Sequence, residues 1–280
     1  MLVMLNLFPH PSQTNMQSYE DKWTLKQVRG DDNYHPKVLE VKPRRNIVIL
    51  TGAGISAESG IDTFRSEGGL WEQHRVEDVA TPEAFIRNPD LVLRFYDMRR
   101  AAIQMAQPNA AHFALGRLER EWTKEAQGQV TIVTQNVDDL HERGGARNLI
   151  HMHGAHLTAW CLACGGRPEW RGPLIHRPAC PLCDRVGALR PDVVWFGEMP
   201  YRMDEIDTAL ACADLFVSIG TSGAVYPAGG YVRRARMDGI RTLELNLEPS
   251  NGSGYFDEAR YGPATEVVTA WVDEMIQRGF

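Results

Sequence analysis

Four cysteines carry the clearest chemical signal in this 280-residue chain: Cys161-x2-Cys164 and Cys180-x2-Cys183, with fifteen residues between the pairs. Two thiolate pairs at this spacing match a tetrahedral zinc site, and four protein ligands leave no position for a reactive water. A metal held there is structural and binds together a segment too small for its own core. A redox dithiol is the alternative. The second signal is His151-Met-His153-Gly154. An imidazole titrates near neutrality and suits proton transfer, and His153, before a glycine and clear of the cysteines, is the candidate general base. His151, His156 and His141 read as structural histidines.

A third signal is Gly52-Ala53-Gly54-Ile55-Ser56-Ala57, directly after the apolar run Asn46 to Thr51. It fits G-x-G-x-x-G/A, in which small residues let a pyrophosphate approach a helix N-terminus. An ordinary glycine-rich turn is the competing explanation. The continuation to Arg65 suits a mobile cofactor lid, and Trp71 is grouped with the cofactor residues. Glu72, beside Trp71, is a poor ribose contact; Asn246-Leu247-Glu248 is the better one, unless it is a plain strand-end turn. Thr134-Gln135-Asn136-Val137-Asp138 and Gly220-Thr221-Ser222-Gly223 follow other apolar runs and bring polar donors to the same side.

Such groups need a scaffold that delivers several strand ends to one crevice. Short β-branched and aliphatic runs at Asn46 to Thr51, Val130 to Thr134, Leu215 to Ile219 and Thr242 to Leu245 read as parallel strands covered on both faces. Helical stretches lie between them. Asn109 is the expected N-cap of one whose Ala110, Phe113, Ala114, Leu118 and Trp122 share a face, and Met203 to Ala213 is another, with Cys212 a buried small hydrophobe. Alternating strands and helices imply an α/β fold: a Rossmann-like, doubly wound parallel sheet whose ligand site lies beyond the strands' carboxyl ends. Two insertions interrupt it, a helical and cofactor-loop module at 61–105 and a zinc-binding module at 156–190. Residues 1–42 lack periodicity and read as a flexible tail before a catalytic domain at 43–280.

Composition narrows the function. With 43% hydrophobic and 24% charged residues the chain is globular, and 30 basic against 36 acidic side chains give a net charge of −6, unlike a nucleic-acid binder. No apolar run reaches the roughly 20 residues of a membrane span. Met1 to Phe8 is apolar but reads as neither signal peptide nor anchor. The five cysteines fit a reducing compartment, so the expectation is a cytoplasmic protein with no nucleic-acid or membrane partner.

Taken together, Gly52 to Gly60, Thr134 to Asp138, His151 to Gly154, the cysteine pairs, Trp195-Phe196-Gly197-Glu198, Gly220 to Gly223 and Asn246 resemble the sirtuins, in order from about Arg45 to the end. The resemblance implies an NAD-consuming protein-lysine deacylase with one structural zinc ion; the chain is expected to be a monomer. In such enzymes the acyl oxygen attacks C1′ of the nicotinamide ribose. The residue matching His153 then activates a ribose hydroxyl, giving O-acyl-ADP-ribose, nicotinamide and free lysine. By position, Asn136 and Asp138 resemble nicotinamide and ribose contacts, Arg65 the lid arginine, and Ser222, Asn246, Glu248 and Ala264 residues around phosphates and adenosine. Trp195 to Glu198 and Gly223 to Tyr226, Val225 included, resemble two edges between which acyl-lysine segments of other proteins lie as an added strand. Asp62 departs from the family, which often has Pro or Arg at that lid position.

Tyr96 and Arg99, at i and i+3 of the helix-like Leu91 to Met105, share a face. They resemble the Tyr-x-x-Arg pair of the class III branch, which holds the carboxylate of succinyl- or malonyl-lysine, and Ala80 resembles the small residue that widens the acyl tunnel. An amphipathic helix with a surface arginine is the plain alternative. Other activities on the same NAD site are a dehydrogenase, which leaves the His-Gly motif and closed cysteine cluster unexplained, a protein ADP-ribosyltransferase, and a non-catalytic reader of acyl-lysine or NAD.

Overall fold

The computed structural model describes residues 45–63, 74–124 and 128–278, and the backbone of 70–71. The expected tail at 1–42, Arg65 and the side chain of Trp71 lie outside the described residues. The chain runs from β1 (Ile47–Thr51) through a 3-10 helix at Ala53–Ser59 to a short pair, β2 (Leu70–Trp71) and β3 (His74–Arg75). Next come α1 (Val76–Val79), α2 (Pro82–Arg87) and α3 (Pro89–Met105). They are followed by α4 (Ala110–Lys124), β4 (Val130–Thr134), α5 (Leu140–Arg143) and β5 (Leu149–His151). β6 (Gly154–Cys161) and β7 (Leu189–Val193) make an antiparallel pair around the cysteine segment. α6 (Met203–Ala211), β8 (Leu215–Ile219), α7 (Tyr231–Met237), β9 (Arg241–Asn246), β10 (Glu258–Tyr261) and α8 (Ala264–Arg278) complete it.

Six strands form one parallel sheet in the order β10-β9-β8-β1-β4-β5. The chain moves outward from β1 to β4 and β5, then returns to the other side of β1 with β8. That reversal puts the topological switch point between β1 and β8, where an open α/β sheet leaves a crevice. Register sharpens it. Thr51 is level with Thr134 and Ile219, Thr134 with His151, and Ile219 with Leu245, so the segments that follow these strands emerge side by side.

Every residue of β1, β4 and β8 is buried, which is why their sequences are nearly continuous apolar runs. Ile47 and Ile49 pack with Leu115, Leu118 and Trp122 of α4 and Val268 and Trp271 of α8 on one face. Val48 and Leu50 pack with Ile206 and Leu210 of α6 and Val232 and Ala235 of α7 on the other. Asn109 accepts the N–H of Ala111 at 3.0 Å, as a cap should. The buried face of α4 is rotated from the expected one: Ala111 and Leu115 are inside, whereas Ala110 is exposed and Phe113 is 53% exposed. α6 ends at Ala211, and Cys212 is exposed rather than buried. The apolar period alone did not fix the rotation of α4 or the end of α6.

The two insertions are built against each other. Thr81 caps α2 by accepting the N–H of Ala84 at 3.0 Å, and Asn88 caps α3 by accepting that of Leu91 at 3.2 Å, each followed by a proline that fits the first helical turn. Leu93 of α3 then packs with Ala159, Cys161, Leu174, Cys180 and Leu189. Beside it Asp97 accepts the N–H groups of Leu174 and Ile175 at 2.9 Å. Arg100, 1% exposed, donates to Asp97 at 2.6 Å and to the His156 carbonyl at 2.8 Å. No helix among the described residues is long and apolar enough to cross a membrane.

Candidate active site

A single cleft of about 980 Å³ opens at the carboxyl ends of β1, β4 and β8 and runs between the sheet and the two insertions. At its sheet end the β1 turn and the β8 turn touch backbone to backbone. Gly54 N–H donates to the Gly220 carbonyl at 2.7 Å, and a Cβ on Gly54 would lie 2.7 Å from the Gly220 Cα. The contact leaves a floor of bare backbone where any larger residue would fill the space, which suits a pyrophosphate. The helix that carries Gly54 is a seven-residue 3-10 helix, Ala53–Ser59. Gly52, Ala53, Gly54, Ser56, Gly220, Thr221, Ser222, Asn246 and Ala264 all line this end. Asn246 braces it by donating to the Thr221 carbonyl at 2.9 Å. Glu248 is exposed and does not line the cleft, and Gly223 lines a neighbouring pocket of about 170 Å³.

In the middle lie Gln135, Asn136, Asp138 and His153. The Ser56 hydroxyl donates to Asp138 Oδ2 at 3.1 Å and accepts from Asn136 Nδ2 at 3.1 Å, tying the β1 turn to the β4 turn. Burial raises the Asp138 carboxyl above its ordinary value, opposed by the bonds from Leu140 N–H and Ser56. His112 Nε2 lies 3.4 Å from the same hydroxyl, and burial, reinforced by the charge of Arg143, lowers its pKa to about 4. His112 was not singled out in the sequence, because no local spacing joins position 112 to 56 and 138. His151 is engaged elsewhere, with Nδ1 at 3.1 Å from the Asn136 carbonyl and Nε2 at 2.8 Å from Glu142.

His153 sits where the chain turns from β5 into β6. Gly154, at φ +83°, makes that corner possible; a Cβ there would lie 2.1 Å from the Asp192 carbonyl oxygen. His153 Nδ1 lies 3.2 Å from the Gln135 carbonyl oxygen. A carbonyl only accepts, so Nδ1 carries the proton and Nε2 keeps its lone pair. Burial lowers the His153 pKa, with the Gln135 bond opposing, so the ring is neutral near pH 7.

At the far end Ala80, Tyr96 and Arg99 line the same cleft, with Trp195, Phe196, Gly197, Glu198 and Val225 around the mouth. Tyr96 and Arg99 are both buried, so α3 turns this face inward and Arg99 is not a surface residue. Glu198 is held by Arg190 at 2.6 Å and accepts the Trp195 N–H at 2.8 Å, which pins the mouth's turn. Gly262 and Pro263 also line the cleft. A proline just before an apolar helix was the available clue to them.

The four cysteines lie apart from the cleft. Their sulfurs are all within 4.8 Å of one another, with Cys161 and Cys183 at 3.7 Å and Cys164 and Cys180 at 4.0 Å. A tetrahedron with zinc–sulfur bonds of 2.3 Å has edges of about 3.8 Å. The donor set therefore fits a closed zinc site.

The comparisons agree with this geometry. Residues 52–227 match the Sir2 family. An NAD-dependent protein deacylase of Vibrio vulnificus is 57% identical over 236 residues, 84% of this chain and 95% of that protein. One from Salmonella typhimurium is 54% identical over 249 residues, 88% of each. Among solved structures, a Sir2 homolog–NAD complex superposes with a TM-score of 0.75 at 38% identity, covering 83% of this chain and 90% of that one. A Sir2–p53 peptide–NAD+ complex gives 0.68 at 26% identity, covering 84% and 93%. With a glycine-floored crevice at the switch point, a neutral histidine in its middle and a four-cysteine cluster apart from it, this chain belongs to the Sir2 family.

Proposed function

We propose that the chain is an NAD-dependent protein-lysine deacylase that removes acetyl and also succinyl or malonyl groups, yielding nicotinamide, O-acyl-ADP-ribose and free lysine. The observation that carries this reading is continuity: one cleft joins the Gly54–Gly220 floor, the His153 imidazole and the Tyr96–Arg99 pair. NAD, when bound, supplies a ribose–nicotinamide bond whose cleavage leaves a carbon open to the acyl oxygen. The chain's own residues do the rest. The glycine turns receive the phosphates, Asn136 and Asp138 present an amide and a carboxyl to the nicotinamide end, and His153 takes up a proton at Nε2. The mouth residues Trp195 to Glu198 and Gly223 to Tyr226 offer main-chain groups to an extended peptide, which needs little sequence specificity.

At the acyl end Arg99 supplies a fixed cation and Tyr96 a neutral phenol, because burial pushes the Tyr96 pKa above its ordinary value. A terminal carboxylate is matched there, and the buried, small Ala80 leaves room for it. The proposal places the enzyme in the cytoplasm as a monomer, with acyl-lysine segments of other proteins as partners and no nucleic acid or membrane.

The test is a competition in which acetylated, succinylated and malonylated forms of one peptide are mixed with NAD and resolved by mass. Loss of the acyl masses with matching nicotinamide is expected. Acyl loss without NAD, or transfer of ADP-ribose onto protein in its place, would overturn the reading.

A further inference from the structure

Trp195 is 2% exposed, and its indole N–H is committed to one partner, the Tyr96 hydroxyl oxygen, at 2.9 Å. An indole is a donor only, whereas a phenol has one proton and an oxygen that accepts. Once that oxygen accepts from Trp195, the phenol's proton must point elsewhere. Among the described residues that proton is donated to no acceptor, and the hydroxyl belongs to a side chain that lines the cleft. The proton is thus left for a ligand.

The indole is itself held from several sides. The Arg190 guanidinium, 4% exposed, lies 3.4 Å from the Trp195 ring centroid. Its rotation is fixed by bonds to Glu198 at 2.6 and 3.0 Å, to the Val193 carbonyl at 2.7 Å and to the Pro191 carbonyl at 3.2 Å. Behind it the stack continues through Trp160 at 5.0 Å to Arg167, which lies 4.7 Å from Trp160 and pairs with Asp192 at 2.6 Å. On the other side Phe85 lies 5.3 Å from the indole. The zinc-binding insertion therefore sets the angle at which Trp195 meets Tyr96.

We propose that Trp195, clamped by Arg190, is a positioning residue that turns Tyr96 into a hydrogen-bond donor toward a carboxylate-bearing acyl group, and so contributes to a preference for succinyl- or malonyl-lysine over acetyl-lysine. A succinyl carboxylate accepts that proton; the methyl of an acetyl group does not. This inference rests on the deacylase reading above.

Trp195→Phe keeps an aromatic ring and removes the donor. The ratio of succinyl to acetyl kcat/KM is expected to fall about three- to tenfold, the worth of one neutral hydrogen bond, through a higher KM for the succinyl peptide. In a Tyr96→Phe background the same substitution should lower the ratio no further, since Trp195 acts through the hydroxyl. Equal losses on both substrates, or a full additional fall in the Tyr96→Phe background, would overturn the proposal. If Trp195→Phe does not fold by circular dichroism, Arg190→Lys carries the test: a lowered ratio supports the clamp and an unchanged ratio overturns it. Arg99→Met separates the two levels. A selective loss there with an unchanged ratio in Trp195→Phe sinks only the positioning role, whereas no selectivity change in any variant sinks the acyl-pocket reading itself.

Discussion

Gly54 and Gly220 occupy each other's side-chain space: Gly220 has φ +60°, and a Cβ placed on it would lie 2.5 Å from the Ile55 nitrogen. Two strands separated by most of the domain thus meet as bare backbone at the switch point, and the crevice floor depends on both glycines. Gly220→Ala adds left-handed strain of about 1–3 kcal/mol together with the clash. The expected outcome is a lowered Tm and at least about tenfold weaker NAD binding by calorimetry. Wild-type affinity in a folded Gly220→Ala protein would show that the contact does not shape the cofactor site.

The proposed role of His153 as the base sets the expected pH dependence. Only the neutral ring accepts a proton, and burial lowers its pKa below the 6.5 of an ordinary imidazole. As pH falls through that lowered value the ring becomes charged and the base is lost, so the acid limb of kcat/KM should lie below 6.5, with activity level just above it. A limb centred above 6.5 would mean that another group controls the profile.

In the proposed acyl pocket, Arg99 is the residue expected to decide between acyl groups. A charge-assisted contact contributes about 1.5–3 kcal/mol. Arg99→Met should therefore lower desuccinylation about ten- to a hundredfold while deacetylation changes far less. Parallel assays on the two peptides check this, and equal losses would assign Arg99 a structural role.

The cysteine cluster makes a stability prediction. Cys161 and Cys180 are buried in the apolar cluster that includes Leu93 of α3, so a metal held there would support α3 as well as its own module. Chelation should lower Tm by about 10 °C, corresponding to a few kcal/mol for a domain of this size, and zinc should restore it. A chelated protein with unchanged Tm would remove the metal from the account.

Much of this site could be read from the chain because its residues sit just after strands whose burial writes them as apolar runs. Thr134 to Asp138 and Gly220 to Gly223 are cases in which the strand end and the polar cluster are adjacent in sequence. The cysteine spacing was equally direct, since ligand geometry is local. Less legible was whatever depends on rotation or distant pairing. The inward turn of Phe113's neighbours on α4, the bond between Trp195 and Tyr96, and the approach of His112 to Ser56 are set by tertiary packing. β5 has only three residues, too few to show a period. Arg65 and the Trp71 side chain, expected at the cofactor, fall outside the described residues.

The most direct test is nicotinamide release from NAD with and without an acyl-lysine peptide, in the native enzyme and in His153→Ala. Release in the native enzyme should require the peptide and match deacylated product one for one. His153→Ala should lower product formation by about 10²–10⁴-fold while still binding NAD. Product formation at the native rate in that variant, or nicotinamide release indifferent to the peptide, would contradict the account.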